Sequence, residues 1–211
     1  MKKLNLIFVF IFISIANISL AQDLIKLPEP NKEGGMPLMQ AIHERQSNRN
    51  FIDKDLTQQQ LSDLLWAAYG INRPESGKHT IPTSRNRQDI EVYITTSNGV
   101  FFYHPEEHAL MPISDQDKRE LAGVQDFVKV ASVNLIYVSD FDKLGDSPDD
   151  IKTMTAATHC GFIGQNVYLY CASEGLISVF RAMIDKDKAA ELLQLDGNKH
   201  VIYSQSVGYS E

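Results

Sequence analysis

Arg45, Ser47 and Arg49 stand in Arg-x-Ser-x-Arg spacing, with Asn48 and Asn50 among them. Guanidinium groups donate forked, charge-assisted hydrogen bonds that match phosphate and carboxylate geometry. A donor-rich knot of this kind, at the end of a short amphipathic stretch, suits an anion, foremost a phosphate. The alternative is a solvated helix end whose arginines pair with nearby carboxylates. A second polar constellation, Pro82-Thr83-Ser84-Arg85-Asn86-Arg87-Gln88, precedes a strand-like run from Ile90 to Thr95. Hydroxyls, an amide and backbone groups around a proline turn suit the polar edge of a flat heterocycle. An Asn there donates to a carbonyl and accepts from a ring N–H at once. Such loops are also common as plain turns.

Other chemistry is weaker. His104 and His108 are four apart but flank Pro105 beside a hairpin strand, so a solvated loop is expected rather than a metal site. Asp140, Asp142, Asp146, Asp149 and Asp150 lack the spacing and turn Gly of a Ca²⁺ loop, and read as a helix start plus a solvated acidic turn. Gly34 and Gly35 belong to no G-x-G-x-x-G fingerprint, and no Gly-x-Ser-x-Gly elbow occurs. Cys160 and Cys171 lie in one long helix, where eleven residues span about 16 Å, too far for a disulfide. They are expected to be buried small hydrophobes.

The elements that must position these groups follow from periodicity and caps. Residues 22–35 hold Pro28, Pro30 and Gly34-Gly35 and read as an extended arm. Met36 to Glu44 is a short helix with Pro37 near its first turn. Thr57 and Gln60 form a capping box, Leu61, Leu64, Leu65 and Ala68 make one apolar face, and Gly70 ends the helix. Ile71 to Gln88 reads as loop. Ser97-Asn98-Gly99 joins Ile90–Thr95 and Val100–Tyr103 as a hairpin. Asp115 to Gly123 reads as a short polar helix and Val133 to Val138 as a central strand. Asp149 to Ser173 is the longest helix, closed by Gly175. Leu176–Phe180 is extended, Lys186–Leu195 a last helix and Val201–Gly208 a last strand. Strands and helices alternate, which makes the class α+β or α/β.

The N-terminus has Lys2 and Lys3, an apolar run from Leu4 to Ala16, and small residues at Ser19 and Ala21, the pattern of a secretory signal peptide with cleavage near Ala21. The run is too short and too interrupted for a bilayer span. Residues 1–21 carry two of the 20 Lys+Arg and none of the 27 Asp+Glu, leaving 190 residues of net charge −9. That balance argues against wrapping nucleic acid or an anionic membrane. The expectation is an exported chain, periplasmic or secreted, with one domain over 36–211 and no stable membrane insertion.

Taken together, "RQSNR", "PTSRNRQ", "GQNVYLYCASEGLIS" (Gly164–Ser178) and the terminal "SVGY" resemble the FMN-dependent nitroreductase family over about residues 36–209. "LLWAAYGINRP" and "GVFFYHP" resemble the branch of azoline dehydrogenases. The resemblance implies an α+β fold with a central, mostly antiparallel sheet flanked by helices, in a homodimer with FMN at its interface. It implies that Arg45, Ser47 and Arg49 bind the phosphate and ribityl side. Pro82, Thr83, Ser84 and Asn86 would meet the isoalloxazine from the other subunit. Backbone around Arg181, Ala182 and Met183 would approach the flavin N5 side. No metal and no catalytic side chain are expected, because the cofactor supplies the reactive atom. Ala156, Ala157, Gly161 and Gly164 suggest a close helix contact at the two-fold interface. Family members often carry a basic tail beyond the final Gly-Tyr; here only Ser210 and Glu211 follow Tyr209, so weaker FMN retention is expected. An oxidoreductase acting on a small organic molecule is the first reading. A non-catalytic, flavin-sequestering protein of the same fold is the second.

Overall fold

The computed structural model describes residues 24–211; the segment read as a signal peptide, residues 1–21, lies outside the described residues. A two-residue strand, β1 (Ile25–Lys26), leads into α1 (Leu38–Glu44), with Pro37 at its N-cap, and α2 (Gln58–Tyr69). Two short strands follow, β2 (Ile71–Arg73) and β3 (Lys78–His79), so the expected loop contains a small hairpin. The sheet is then laid down by β4 (Ile90–Thr96), β5 (Gly99–His104), β6 (Ala109–Ser114) and β7 (Val133–Asp140). The chain closes with α3 (Asp149–Ser173), β8 (Ile177–Arg181), α4 (Lys186–Leu192) and β9 (Lys199–Gly208).

Seven strands form one antiparallel sheet in the order β1-β6-β5-β4-β7-β9-β8. The class is α+β. Helices α2 and α3 cover one face, where Leu64, Leu65 and Ala68 meet Ile94, Leu135, Cys160, Ile163 and Val167. Helix α4 and several 3₁₀ turns cover the other face, around Ile136, Val138, Ala189 and Leu193. The Thr57–Gln60 capping box forms as expected and starts α2. Gly164 lets α3 lie close on β8, because an added Cβ would sit 2.5 Å from the Phe180 ring. Cys160 and Cys171 are free and buried. Among the described residues no helix is long and apolar enough to cross a membrane.

Three local readings need correction. β6 went unread because Pro112 interrupts it. Pro112 sits beside a register shift, and β1 pairs only with Ala109 and Leu110, so its missing N–H breaks no ladder there. The polar helix expected over Asp115–Gly123 is a single 3₁₀ turn, Arg119–Ala122. Asp117 instead captures the Arg119 N–H and guanidinium, and Ser114 Oγ takes the Gln116 N–H, so the polar side chains outcompete a helix. His108 is not solvated. Its Nε2 lies 2.7 Å from Ser62 Oγ and 3.1 Å from Pro28 O, and its Nδ1 lies 2.9 Å from Tyr103 OH. It thereby pins the N-terminal arm to the sheet.

Candidate active site at the free edge of strand β8

β8 is the last strand of the sheet, and its outer edge needs partners for its backbone groups. Arg45 leaves α1 at its C-cap, and the following residues run along that edge. The Asn48 N–H donates to Ser178 O at 3.0 Å. The Phe180 N–H donates to Tyr168 OH at 2.8 Å, and the same hydroxyl lies 2.7 Å from Ser47 Oγ. Edge-facing groups alternate along a strand, so the next N–H to face outward is that of Ala182. Ala182 and Met183 are exposed.

Arg45, Ser47 and Arg49 are thus brought to one edge together with residues 181–183. The Arg45 guanidinium lies over the Tyr168 ring, 5.3 Å from its centroid. Arg45 and Arg49 form no ion pair with a carboxylate among the described residues, so the carboxylate pairing of the alternative reading is not formed. The Arg181 backbone sits at the edge while its side chain turns inward and is 5 % exposed. Its guanidinium donates to Ala122 O at 3.0 Å, to Ser206 Oγ at 2.8 Å and to Asn134 Oδ1 at 3.3 Å, and its Nε is buried without a partner. Burial, with the like charge of Arg49 adding to it against an opposing effect of Tyr137, pushes its pKa down to about 10.

Pro82, Thr83, Ser84 and Asn86 lie in a separate turn that meets α3 at His159. The Ser84 N–H donates to His159 Nε2 at 2.8 Å, and His159 Nδ1 lies 2.6 Å from Asp89 Oδ1. His159 and Tyr168 are nine residues apart, which on a helix is about 14 Å. The two constellations therefore lie apart along α3 and do not close into one pocket within the chain. Beside Pro82–Ser84 a surface hollow of about 470 Å³ is lined by Met154, Thr155, Thr158, His159 and Phe162. The turn is left-handed at Arg85 (φ 52°), Asn86 (φ 54°) and Gln88 (φ 48°), none of them glycine. Such strain clusters at functional sites.

Three residues of this arrangement were missed in the sequence: Tyr168, which joins the Arg-Ser-Arg segment to β8, and the buried pair His159 and Asp89. Tyr168 and His159 read only as members of the longest helix, and their tertiary partners alone give them a role. Among the described residues no group of three His, Cys, Asp or Glu side chains could hold a metal. The donor set fits FMN. Two uncompensated guanidiniums suit a phosphate dianion, and an outward N–H on a strand edge suits a ring acceptor.

The sequence model of the nitroreductase family matches residues 42–209. A protein of Methanocaldococcus jannaschii described as a nitroreductase is 28 % identical over 181 residues, 81 % of this chain and 89 % of that one. A Ralstonia eutropha structure also described as a nitroreductase superposes with a TM-score of 0.84 at 36 % identity, covering 89 % of this chain and 90 % of the other. At the level of fold alone, a chain of the E. coli microcin synthetase complex gives 0.67 at 19 % identity, covering 97 % and 85 %. The NADPH:FMN oxidoreductase of Vibrio harveyi gives 0.60 at 20 % identity, covering 82 % and 69 %. With the motifs, the sheet and the β8 edge in agreement, this chain belongs to the nitroreductase family.

Proposed function

We propose that this protein is an exported, homodimeric FMN-dependent oxidoreductase that moves two electrons as hydride to a small organic acceptor. Membership of a family of generally FMN-dependent oxidoreductases supports this reading. The observation that carries it is the β8 edge, where Arg45 and Arg49 lack carboxylate partners among the described residues and the strand runs out into exposed Ala182 and Met183. Arg45 and Arg49 would hold the phosphate and Ser47 the ribityl side. The Ala182–Met183 backbone would approach N5, and Pro82–Asn86 of a second copy would meet the ring. Bound FMN would supply hydride chemistry. The chain's own part is to bind, orient and exclude water: Tyr168 fixes Ser47 against β8, and exposed Met183, Met154 and Phe162 give the surroundings apolar walls. Export rests on the leader pattern of residues 1–21. The test is the visible spectrum of the mature protein with FMN, followed by anaerobic reduction with a nicotinamide donor and reoxidation by a nitroaromatic. Absence of bound flavin overturns the proposal; flavin that binds but is never reduced and reoxidised leaves a flavin-holding protein.

The homodimer has its own support. Leu38, Met39 and Ile42 of α1, with Ile151, Met154 and Phe162 of α3, are exposed apolar residues on two helices that pack together. Of the four small residues expected at this contact, Ala156 and Gly164 face inward and Ala157 packs half-buried against the core. Gly161 faces open space. The stripe Ile151, Met154, Thr155, Thr158 and Phe162 is the outward face. Light scattering on the mature chain is expected to give twice the mass of 190 residues; a single-chain mass refutes the shared site.

Asn86 separates a ring-reading role from a turn-forming one. Its side chain is exposed and has no hydrogen-bond partner among the described residues, while its φ of 54° is one that glycine adopts freely. Asn86→Gly should therefore keep or raise fold stability, yet weaken FMN by about 1–3 kcal/mol through the lost amide. Reduction adds negative charge to the ring edge, so the potential of bound FMN should fall as well. Affinity and potential both unchanged would make Asn86 a turn residue. Titration and potentiometry on both proteins decide it.

A further inference from the structure

We propose that His159 is a positioning residue, whose neutral imidazole, fixed in one tautomer by Asp89, holds the Pro82–Asn86 turn in the shape that meets the flavin ring. The inference rests on the reading of that turn given above and adds the device that sets it.

The chain of bonds determines the proton positions. A backbone amide is only a donor, so His159 Nε2 must accept the Ser84 N–H and carry no proton. Nδ1 then carries the proton and donates it to Asp89 Oδ1 at 2.6 Å. The second Asp89 oxygen accepts from Ser139 Oγ at 2.7 Å. All three side chains are buried: His159 is 2 % exposed, and Asp89 and Ser139 are 0 %. They lie among the apolar side chains of Ile90, Cys160 and Ala156.

A histidine that only filled the core would spend both nitrogens on core partners, and apolar side chains of the same volume would cost less than a buried carboxylate–imidazole pair. Here one nitrogen goes to the backbone of an exposed turn. That turn needs an anchor, since Arg85, Asn86 and Gln88 all hold left-handed backbone that favours glycine. Its other bonds are local, from Asn86 N to Thr83 O, Arg87 N to Ser84 O and Gln88 N to Thr83 Oγ1, or fix its far end through Gln88 to Gly77 O and Arg87 to Leu144 O. Among the described residues, the hydrogen bond from Ser84 to His159 is the one that ties the Pro82–Ser84 end to α3. His159 lines the floor of the hollow beside Pro82–Ser84 at 2 % exposure, and with both ring nitrogens bonded it acts through Ser84.

The test uses the mature chain with FMN as probe. His159→Leu keeps the apolar volume and removes both bonds. His159→Gln can accept from Ser84 with its oxygen and donate to Asp89 with its amide. Expected are a roughly tenfold rise in the Kd for FMN in the leucine variant, equivalent to about 1.4 kcal/mol, with a changed potential of bound FMN, and recovery of both in the glutamine variant. Amide exchange gives a readout that needs no flavin: Ser84 should be protected in the wild type, exposed though it is, and exchange freely in His159→Leu. If the leucine variant fails to fold, ¹⁵N NMR of the wild type decides, with a pyridine-type Nε2 coupled across the hydrogen bond to the Ser84 amide expected. Protonated Nε2, or an FMN affinity and potential unmoved in a folded His159→Leu, overturns the inference and leaves the proposed function standing. Failure of the wild type to bind FMN overturns both.

Discussion

Replacing Arg45 and Arg49 together with Ala should nearly abolish FMN binding while leaving the apoprotein as stable as before. Each guanidinium would contribute a charge-assisted hydrogen bond to the phosphate, about 1.5–3 kcal/mol. Simple addition gives about 3–6 kcal/mol, or roughly 10²- to 10⁴-fold in Kd, and the lower end is favoured because adjacent sites sharing a ligand are not additive. Stability should hardly move, since Arg49 is exposed, neither residue is in an ion pair among the described residues, and Arg45 loses only its contact with the Tyr168 ring. Surface changes of this kind usually fall within ±0.5 kcal/mol. The wild-type affinity should also weaken as salt rises, and the double variant should lose that dependence. Fluorescence titration at two ionic strengths, with urea unfolding of the apoproteins, checks all three. Equal affinities would remove the Arg-Ser-Arg segment from the phosphate site.

The elements most legible in the sequence were those whose signals are local. The Thr57–Gln60 box, the Ser97-Asn98-Gly99 turn and the full length of α3 are each specified by residues close in the chain. β6 and the 3₁₀ turn at Arg119 were not: Pro112 masks the strand, whose outer partner β1 lies far away in the chain, and Asp117 and Ser114 capture N–H groups that a helical pattern would have kept. The site divides in the same way. Arg45, Ser47 and Arg49 could be read as an anion knot from type and spacing, but their placement beside β8 depends on Tyr168, 121 residues from Ser47. Asp89 and His159 are 70 residues apart, and nothing local in either suggests the other. Local rules identify what a segment is able to bind. Tertiary bonds decide which way it faces.

Two buried arginines put this separation of stability from binding to a direct test. Arg119 and Arg181 are 6 % and 5 % exposed, yet their surroundings differ in kind. Arg119 is bound by Asp117 at 2.9 Å and Asp53 at 2.9 Å, and although burial lowers its pKa, these carboxylates outweigh it and the net shift is upward. Arg181 donates only to neutral acceptors and lies by the Phe127 ring, and burial pushes its pKa well down, to about 10. For a base with a depressed folded pKa, the unfolded chain holds the proton more tightly, so the penalty is complete at pH 7 and is relieved only as pH rises through about 10. The shift corresponds to about 3 kcal/mol against the folded state. Arg181→Met removes that cost but strands Ala122 O, worth about 1–3 kcal/mol, so the apoprotein should unfold at an unchanged or higher urea midpoint. Arg119→Met breaks a compensated cluster and strands two partly exposed carboxylates; it should lose about 3 kcal/mol, the low end for a buried pair. If the charge of Arg181 is retained for an anion at the β8 edge, Arg181→Met should also weaken FMN despite its stability. A midpoint lowered as far as that of Arg119→Met would show that Arg181 is held for the fold, and would remove the case for its charge serving a ligand.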